Sequence, residues 1–165
     1  MAIKIRKALA EEIEEILKIY SDAREYMKLS GNPNQWGRTY PEKELLLSDI
    51  SKGELHVAEE SGEILAVFVY FMGEDKTYLK IYDGDWKNDL PYGVIHRIAV
   101  SNSARGRGIA RICFDYAFSL SGNLKIDTHR DNFPMQRVLE KSGFERCGII
   151  YLENGDERIA FQKAK

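Results

Sequence analysis

Between an apolar run, Val94-Ile-His-Arg-Ile-Ala-Val100, and a helix-periodic stretch lies Ser101-Asn-Ser-Ala-Arg-Gly-Arg-Gly-Ile-Ala110, the segment of this chain best equipped for chemistry. Gly106 and Gly108 allow a tight turn and close approach to a ligand, so successive N–H groups can converge on an anion at the positive end of the following helix. Arg105 and Arg107 add positive charge to the same short loop. Ile109, Ile112, Cys113, Tyr116, Ala117 and Leu120 fall at i, i+3, i+4, i+7, i+8 and i+11, one apolar stripe, so the loop opens a packed helix. β-Branched residues dominate 94–100, which predicts a buried strand. Strand, basic glycine loop and helix in that order read as a phosphate cradle.

Three phosphate-binding designs share this order. A P-loop needs Gly-Lys-Ser/Thr for the γ-phosphate and magnesium, and Gly108 is followed by Ile109. A dinucleotide fingerprint is a closer rival, because Gly106-x-Gly108 is followed nineteen residues later by Asp127, at the end of the apolar stretch Leu124-Lys-Ile-Asp127. Against it, Arg111 stands where a third glycine should let helix and strand pack closely, and several residues separate Val100 from Gly106. The motif also comes late, leaving too little chain for alternating strands and helices.

The third design fits the residues. Arg105, Gly108 and Ala110 occupy the defined positions of Gln/Arg-x-x-Gly-x-Gly/Ala, and the segment resembles the acyl-CoA pyrophosphate loop of the GNAT superfamily of N-acyltransferases. Downstream, Asn132-Phe-Pro-Met-Gln-Arg-Val-Leu-Glu-Lys-Ser-Gly-Phe144 is similar to that family's Asn-x-x-Ala…Gly-Phe helix. The resemblance implies acetyl-CoA as co-substrate, held by Ile98, Ala99, Val100, Arg105, Gly106, Arg107, Gly108, Ile109, Ala110 and Asn132. It implies an oxyanion near the Val100 amide and a pantetheine arm between strands that splay apart. Asn132 also reads as a plain helix N-cap, with Pro134 in the first turn and Gly143 past the end, and an N-cap leaves the amide nitrogen free for CoA.

An amine acceptor is mostly protonated at neutral pH, so attack on a thioester needs a route for its proton. His96 is the candidate base: an imidazole titrates in the useful range, and strand parity with Ile98 and Val100 should point all three to one face. The bland alternative is a core histidine bonded to a carbonyl. Some family members instead use an upstream glutamate, where this chain has Tyr92. The tyrosine that many members place seven residues after the motif asparagine, to protonate the leaving thiolate, is Leu139 here, and Tyr78, Tyr82, Tyr92 and Tyr151 are the substitutes at hand. His56 and His129 are expected to be non-catalytic.

The acceptor pocket is expected from segments outside the motifs. Trp36, Tyr40, Tyr78, Tyr82, Trp86 and Tyr92, with Asp83 and Asp85, suit a cationic amine if they line a pocket, and otherwise cover the core. Cys113 and Cys147 lack metal or disulfide spacing and read as small core residues, so no metal site is expected.

With 165 residues, 44% hydrophobic, 11% aromatic and a net charge of −2, the whole chain, 1–165, is expected to form a single soluble domain without a global bias toward nucleic acid. No apolar stretch reaches membrane-spanning length, and the N-terminus enters an alternating strand, so a cytoplasmic location is expected. Periodicity predicts a strand at 2–7, helices at about 10–28 and 41–52, and a hairpin of 54–60 and 63–72 about Ser61-Gly62. Residues 73–92 resist assignment. After the cradle helix come a strand at 124–127, the capped helix, and a hairpin of 144–152 and 157–163 about Asn154-Gly155. This matches the order of the GNAT fold: α/β, with a mixed, largely antiparallel sheet flanked by helices on both faces.

Two functional classes follow. One is an N-acetyltransferase moving an acetyl group from acetyl-CoA to a primary amine of a small molecule or peptide, by direct attack in a ternary complex. The other is a non-catalytic acyl-CoA-binding or interaction module, which Leu139 keeps open. The implied partners are acetyl-CoA and an amine acceptor, with a homodimer allowed and neither nucleic acid nor membrane involved.

Overall fold

The computed structural model describes residues 2–165. Seven strands form one sheet: β1 (Lys4–Lys7), β2 (Leu55–Glu60), β3 (Glu63–Met72), β4 (Gly93–Val100), β5 (Asn123–Thr128), β6 (Glu145–Tyr151) and β7 (Glu157–Ala164). Their spatial order is β1-β2-β3-β4-β5-β7-β6, and every neighbouring pair is antiparallel except β4 and β5. Helices α1 (Ile13–Leu29) and α2 (Lys43–Ser51) cover one face, while α3 (Ile109–Ser121) and α4 (Phe133–Lys141) cover the other. The architecture is the mixed, mostly antiparallel sheet with two helical layers that the resemblance implies.

Local chemistry explains the element ends. Before α1, a 3-10 turn at Ala10–Glu12 is tied down by Glu12, whose carboxylate accepts from the Leu9 amide at 2.8 Å and from Arg6 at 2.7 Å. Helix α2 begins two residues later than expected, because Glu42 is extended. The β2–β3 turn has positive φ at both Ser61 and Gly62, the primed-turn geometry that matches strand twist. Gly122, with φ of 65°, ends α3 and releases the chain directly into β5.

Residues 73–92, unassigned from sequence, carry one 3-10 turn at Lys76–Tyr78 and one antiparallel bridge from Tyr82 to Ile149 of β6, and are otherwise irregular. A small core of Tyr78, Val94, Ile150 and Ala160 holds them to the sheet. The Lys87 amide donates to Gln162 Oε1 at 2.7 Å, and Asn123 Nδ2 donates to Asn88 Oδ1 at 2.9 Å.

Two irregularities of β4 shape the rest. Its pairing with β5 consists of Gly93 with Leu124 and Val94 with Lys125, after which the two parallel strands part. On its other edge, Val67 faces Ala99 and Val69 faces His96, so Phe68 alone opposes both Arg97 and Ile98. This is a β-bulge, and Arg97 sits there at φ of 53°. The bulge overturns the expected shared parity of His96, Ile98 and Val100. Ile98 packs with Ile95 in the core beneath α3, and Val100 packs against that same core. The His96 ring lies on the other face, 6.1 Å from both Phe71 and Tyr78. An extra residue in the strand shifts the alternation, so positions 96 and 98 diverge.

His56, on β2, is buried, stacks on Phe68 at 5.4 Å and hydrogen-bonds the Glu54 carbonyl through Nδ1 at 2.8 Å. Burial pushes its pKa down, the backbone bond only partly opposing it. The unfolded chain therefore takes up the proton first, and stability present above about pH 6.5 is lost as pH falls toward the folded value. His129, also lowered chiefly by burial, adds to the same slope. The melting temperature is expected to drop between about pH 7.5 and about pH 5, with a shallower drop in His56→Gln, measured by calorimetric unfolding.

Candidate active site

Where β4 and β5 part, a cavity of about 690 Å³ opens between the sheet, the α1–α2 connection and the β6–β7 turn. His96, Arg97 and Ile98 form its β4 wall, Ile126, Asp127 and Thr128 its β5 wall, and Trp36 and Tyr40 come from the α1–α2 connection. Its size suits a small-molecule site.

His96 Nε2 lies 2.7 Å from Asp75 Oδ2. Asp75 caps the 3-10 turn, its Oδ1 accepting from the Thr77 amide at 2.8 Å and the Thr77 hydroxyl at 2.7 Å. Burial pushes this carboxyl up, but the hydrogen bonds from His96 and Thr77 win and hold it at about 2. It is thus an acceptor-only carboxylate at neutral pH. That assigns the imidazole proton to Nε2 and leaves Nδ1 with no hydrogen-bond partner among the described residues.

Arg97 anchors the bulge. Its guanidinium donates to both oxygens of buried Asp49 on α2, at 3.0 and 3.1 Å, and to the Tyr40 hydroxyl at 3.0 Å. Its backbone carbonyl accepts from the hydroxyl of fully buried Tyr20 on α1 at 2.6 Å. A left-handed non-glycine residue costs about 1–2 kcal/mol, and these bonds offset it.

The bulge and the splay also decide the backbone. The Ser101 amide donates to the Leu65 carbonyl at 2.8 Å. Hydrogen-bonded and non-hydrogen-bonded pairs alternate in an antiparallel ladder, so Val100, opposite Ala66, turns its N–H and C=O away from β3 toward the gap beside β5. Ala99, opposite Val67, has its polar groups engaged with β3 and its side chain in the core beneath α1 and α2.

The glycine loop forms as expected. Gly106 and Gly108 have φ of 82° and 74°, and a Cβ on either would meet nothing, so backbone conformation rather than crowding calls for glycine. The amides of Gly108, Ile109, Ala110 and Arg111 donate to no acceptor among the described residues; Ile112 is the first to find one, the Gly108 carbonyl at 3.3 Å. Ile109 itself is buried in the core, and Ala110 packs against its edge. Arg105 stacks over Tyr26 at 3.8 Å and bonds Asn102 at 3.0 Å, while its Nη2 is buried with no partner. Burial pushes its pKa down. Arg107 instead bonds Glu60 at 3.1 Å. Free amides and an orphaned guanidinium nitrogen fit an anionic pyrophosphate.

Asn132 caps α4 through Oδ1, accepting from the Met135 amide at 3.2 Å. One N–H of its amide nitrogen, expected to be free, donates to Gln35 Oε1 at 2.9 Å, which leaves the second N–H without a partner among the described residues. The cap is buried beneath the α1–α2 connection, so the nearest acceptor there takes the donor.

Of the aromatic and acidic residues considered for the acceptor, only Trp36 and Tyr40 line the cavity. Tyr78, Trp86 and Tyr92 pack in the small core, and Trp86 and Tyr92 hold the protein's own Lys125, whose Nζ lies 4.2 and 3.9 Å from their rings. Asp83 and Asp85 are exposed. None of Tyr78, Tyr82, Tyr92 and Tyr151 lines the cavity, and Leu139 is buried in the core. Burial drives the Cys113 thiol up to about 12 and raises that of Cys147. His56 and His129 stand outside the cavity.

A family model described as acetyltransferase (GNAT) family matches residues 13–144. The chain belongs to the GNAT family of acetyltransferases. A GNAT-family acetyltransferase from Streptococcus agalactiae 2603 is 32% identical, superposes with a TM-score of 0.91, and is aligned over 99% of this chain and 95% of that one. A GNAT-family acetyltransferase from Listeria monocytogenes 4b F2365 shares the fold at 19% identity, with a TM-score of 0.71 over 98% and 94% of the two chains. The NatC complex bound to Gag peptide and CoA contains a chain of the same fold at 15% identity, with a TM-score of 0.67 over 100% and 99%. No curated protein matches the chain.

Asp75, Gln35, Arg97 and Arg158 are among the cavity residues that the sequence did not single out. Asp75-x-Thr77 is legible as a turn cap, but nothing in the spacing links it to His96. The bulge itself gives a direct test: Asp49→Ala leaves the half-buried Arg97 guanidinium without its counter-charge, an expected loss of about 3 kcal/mol by denaturant unfolding. A loss below about 1 kcal/mol would contradict the anchoring role of this pair.

Proposed function

We propose that this GNAT protein is an acetyl-CoA-dependent N-acetyltransferase in which His96 is the general base and a primary amine attacks directly in a ternary complex. The observation that carries the reading is the His96–Asp75 pair at 2.7 Å, on the wall of the cavity beside the unpaired edge of β4. A core histidine satisfied by a carbonyl would not need a half-buried carboxylate that is itself fixed by capping a turn; His56 is this chain's example of that simpler state.

Bound acetyl-CoA would supply the thioester carbonyl. The free amides of Gly108, Ile109, Ala110 and Arg111, together with Arg105, would hold its pyrophosphate. One N–H of the Asn132 amide nitrogen ties the start of α4 to Gln35 of the α1–α2 connection, and its second N–H is the donor that would reach the pantetheine arm. His96 Nδ1 takes a proton from the amine as its nitrogen bonds to the carbonyl carbon, and Asp75 pairs with the imidazolium formed. The Val100 amide, turned into the gap, donates to the carbonyl oxygen as that atom gains charge. When the C–S bond breaks, a thiolate with a pKa of about 8.5 needs little help, and Tyr40 is the only tyrosine lining the cavity among the described residues.

Thiol release from acetyl-CoA over a panel of amines tests the reading. His96→Ala is expected to lower kcat by about 10²–10⁴-fold with acetyl-CoA affinity unchanged, and a kcat within twofold of wild type would remove His96 from the mechanism. Asp75→Asn is expected to lower kcat in the same direction and to leave KM for acetyl-CoA alone. Gly108→Glu, forcing a side chain and negative charge into the left-handed turn, is expected to abolish acetyl-CoA binding in calorimetric titration.

A further inference from the structure

Two arginines line the cavity, and they are in opposite electrostatic situations. Arg97 is matched bidentately by Asp49. Arg158, on β7, is 5% exposed, yet its guanidinium meets only neutral carbonyls: Nη1 donates to Glu157 O at 3.0 Å and Nη2 to Gln35 O at 3.1 Å. The carboxylate of neighbouring Glu157 is turned to Arg130, 4.0 Å away, and no carboxylate among the described residues comes within ion-pair distance of Arg158. A buried cation without an anion is costly, and the fork of a guanidinium matches a carboxylate with two parallel bonds. A second buried polar group, the hydroxyl of Thr128, lines the same cavity and also lacks a partner.

The surroundings hold Arg158 in place. Gln35 Oε1 accepts from both Asn32 and Asn132, each at 2.9 Å, so the carbonyl that Arg158 meets is fixed to the start of α4. His96 forms part of the β4 wall of the same cavity, so a molecule filling it meets a proton acceptor and an unmatched guanidinium in one enclosure.

We infer that Arg158 receives a carboxylate of the acceptor, and that the acceptor is an amino acid or a similarly small amine bearing a carboxylate. This rests on the transferase reading for the reaction but not for the binding. The test compares L-amino acids with their α-carboxamides, first as acceptors in the thiol-release assay and then as ligands of the CoA-loaded protein by thermal shift, in wild type, R158Q and R158K.

For at least one amino acid, kcat/KM is expected to exceed that of its amide by about 10²-fold, chiefly through KM. R158Q is expected to bring acid and amide to within about threefold of each other, and R158K to restore part of the difference. Equal use of acids and amides by wild type, or a preference that survives in R158Q, overturns the assignment while leaving the transferase standing. If no amine releases thiol, an acid-specific thermal shift lost in R158Q upholds the carboxylate site and sinks the transferase. Absence of any acid-specific shift in wild type, which needs no variant to fold, sinks the site.

Discussion

Everything that makes this sheet a site depends on holding Arg97 in a left-handed bulge. An unbroken β4 would set His96, Ile98 and Val100 on one face and give the imidazole to the core beneath α3. The extra residue instead sends Ile98 into that core and His96 to the opposite face, within 2.7 Å of Asp75. The strained backbone is held from both ends: Tyr20 of α1 takes the Arg97 carbonyl, and Asp49 of α2 takes its guanidinium. The α1–α2 layer therefore fixes the conformation of the strand it covers, which is more than packing.

The splay of β4 from β5 supplies the complementary half. Paired at Gly93 and Val94 only, β4 leaves its later backbone groups unanswered on one edge. In a closed sheet such groups would be orphaned, so a gap of this kind persists where a ligand or solvent can satisfy them. The α1–α2 connection roofs the gap through Gln35, which joins Asn32, Asn132 and Arg158 in one polar cluster. The cradle lies at the far end of the same strand, its free amides at the start of α3, so thioester chemistry and phosphate binding share one continuous edge.

Element order and both helix caps were legible from periodicity and turn chemistry, because Ile109 to Leu120 and Asn132 to Gly143 carry their own start and stop signals. The cradle was legible for the same reason: left-handed glycines before a helix are a local device. Hidden was whatever depends on two segments distant in sequence. The Arg97 bulge has no glycine to announce it, and its cause lies in Tyr20 and Asp49, 77 and 48 residues away. Asp75 lay in the segment without periodicity, and the bond from the Asn132 nitrogen to Gln35 spans 97 residues. The aromatic cage expected for an acceptor formed, but around Lys125, since strand alternation puts that lysine on the face that Trp86 and Tyr92 cover.

The most direct test of this account is an amide-resolved ¹⁵N NMR titration of the protein with acetyl-CoA. The account expects the largest shifts at Val100 and at Gly108 through Arg111, with the Ala99 amide, engaged with Val67, moving far less. Saturable binding whose shifts avoid both Val100 and the α3 amides would contradict the central claim that the bulged, splayed edge of β4 and the glycine cradle form one acyl-CoA site.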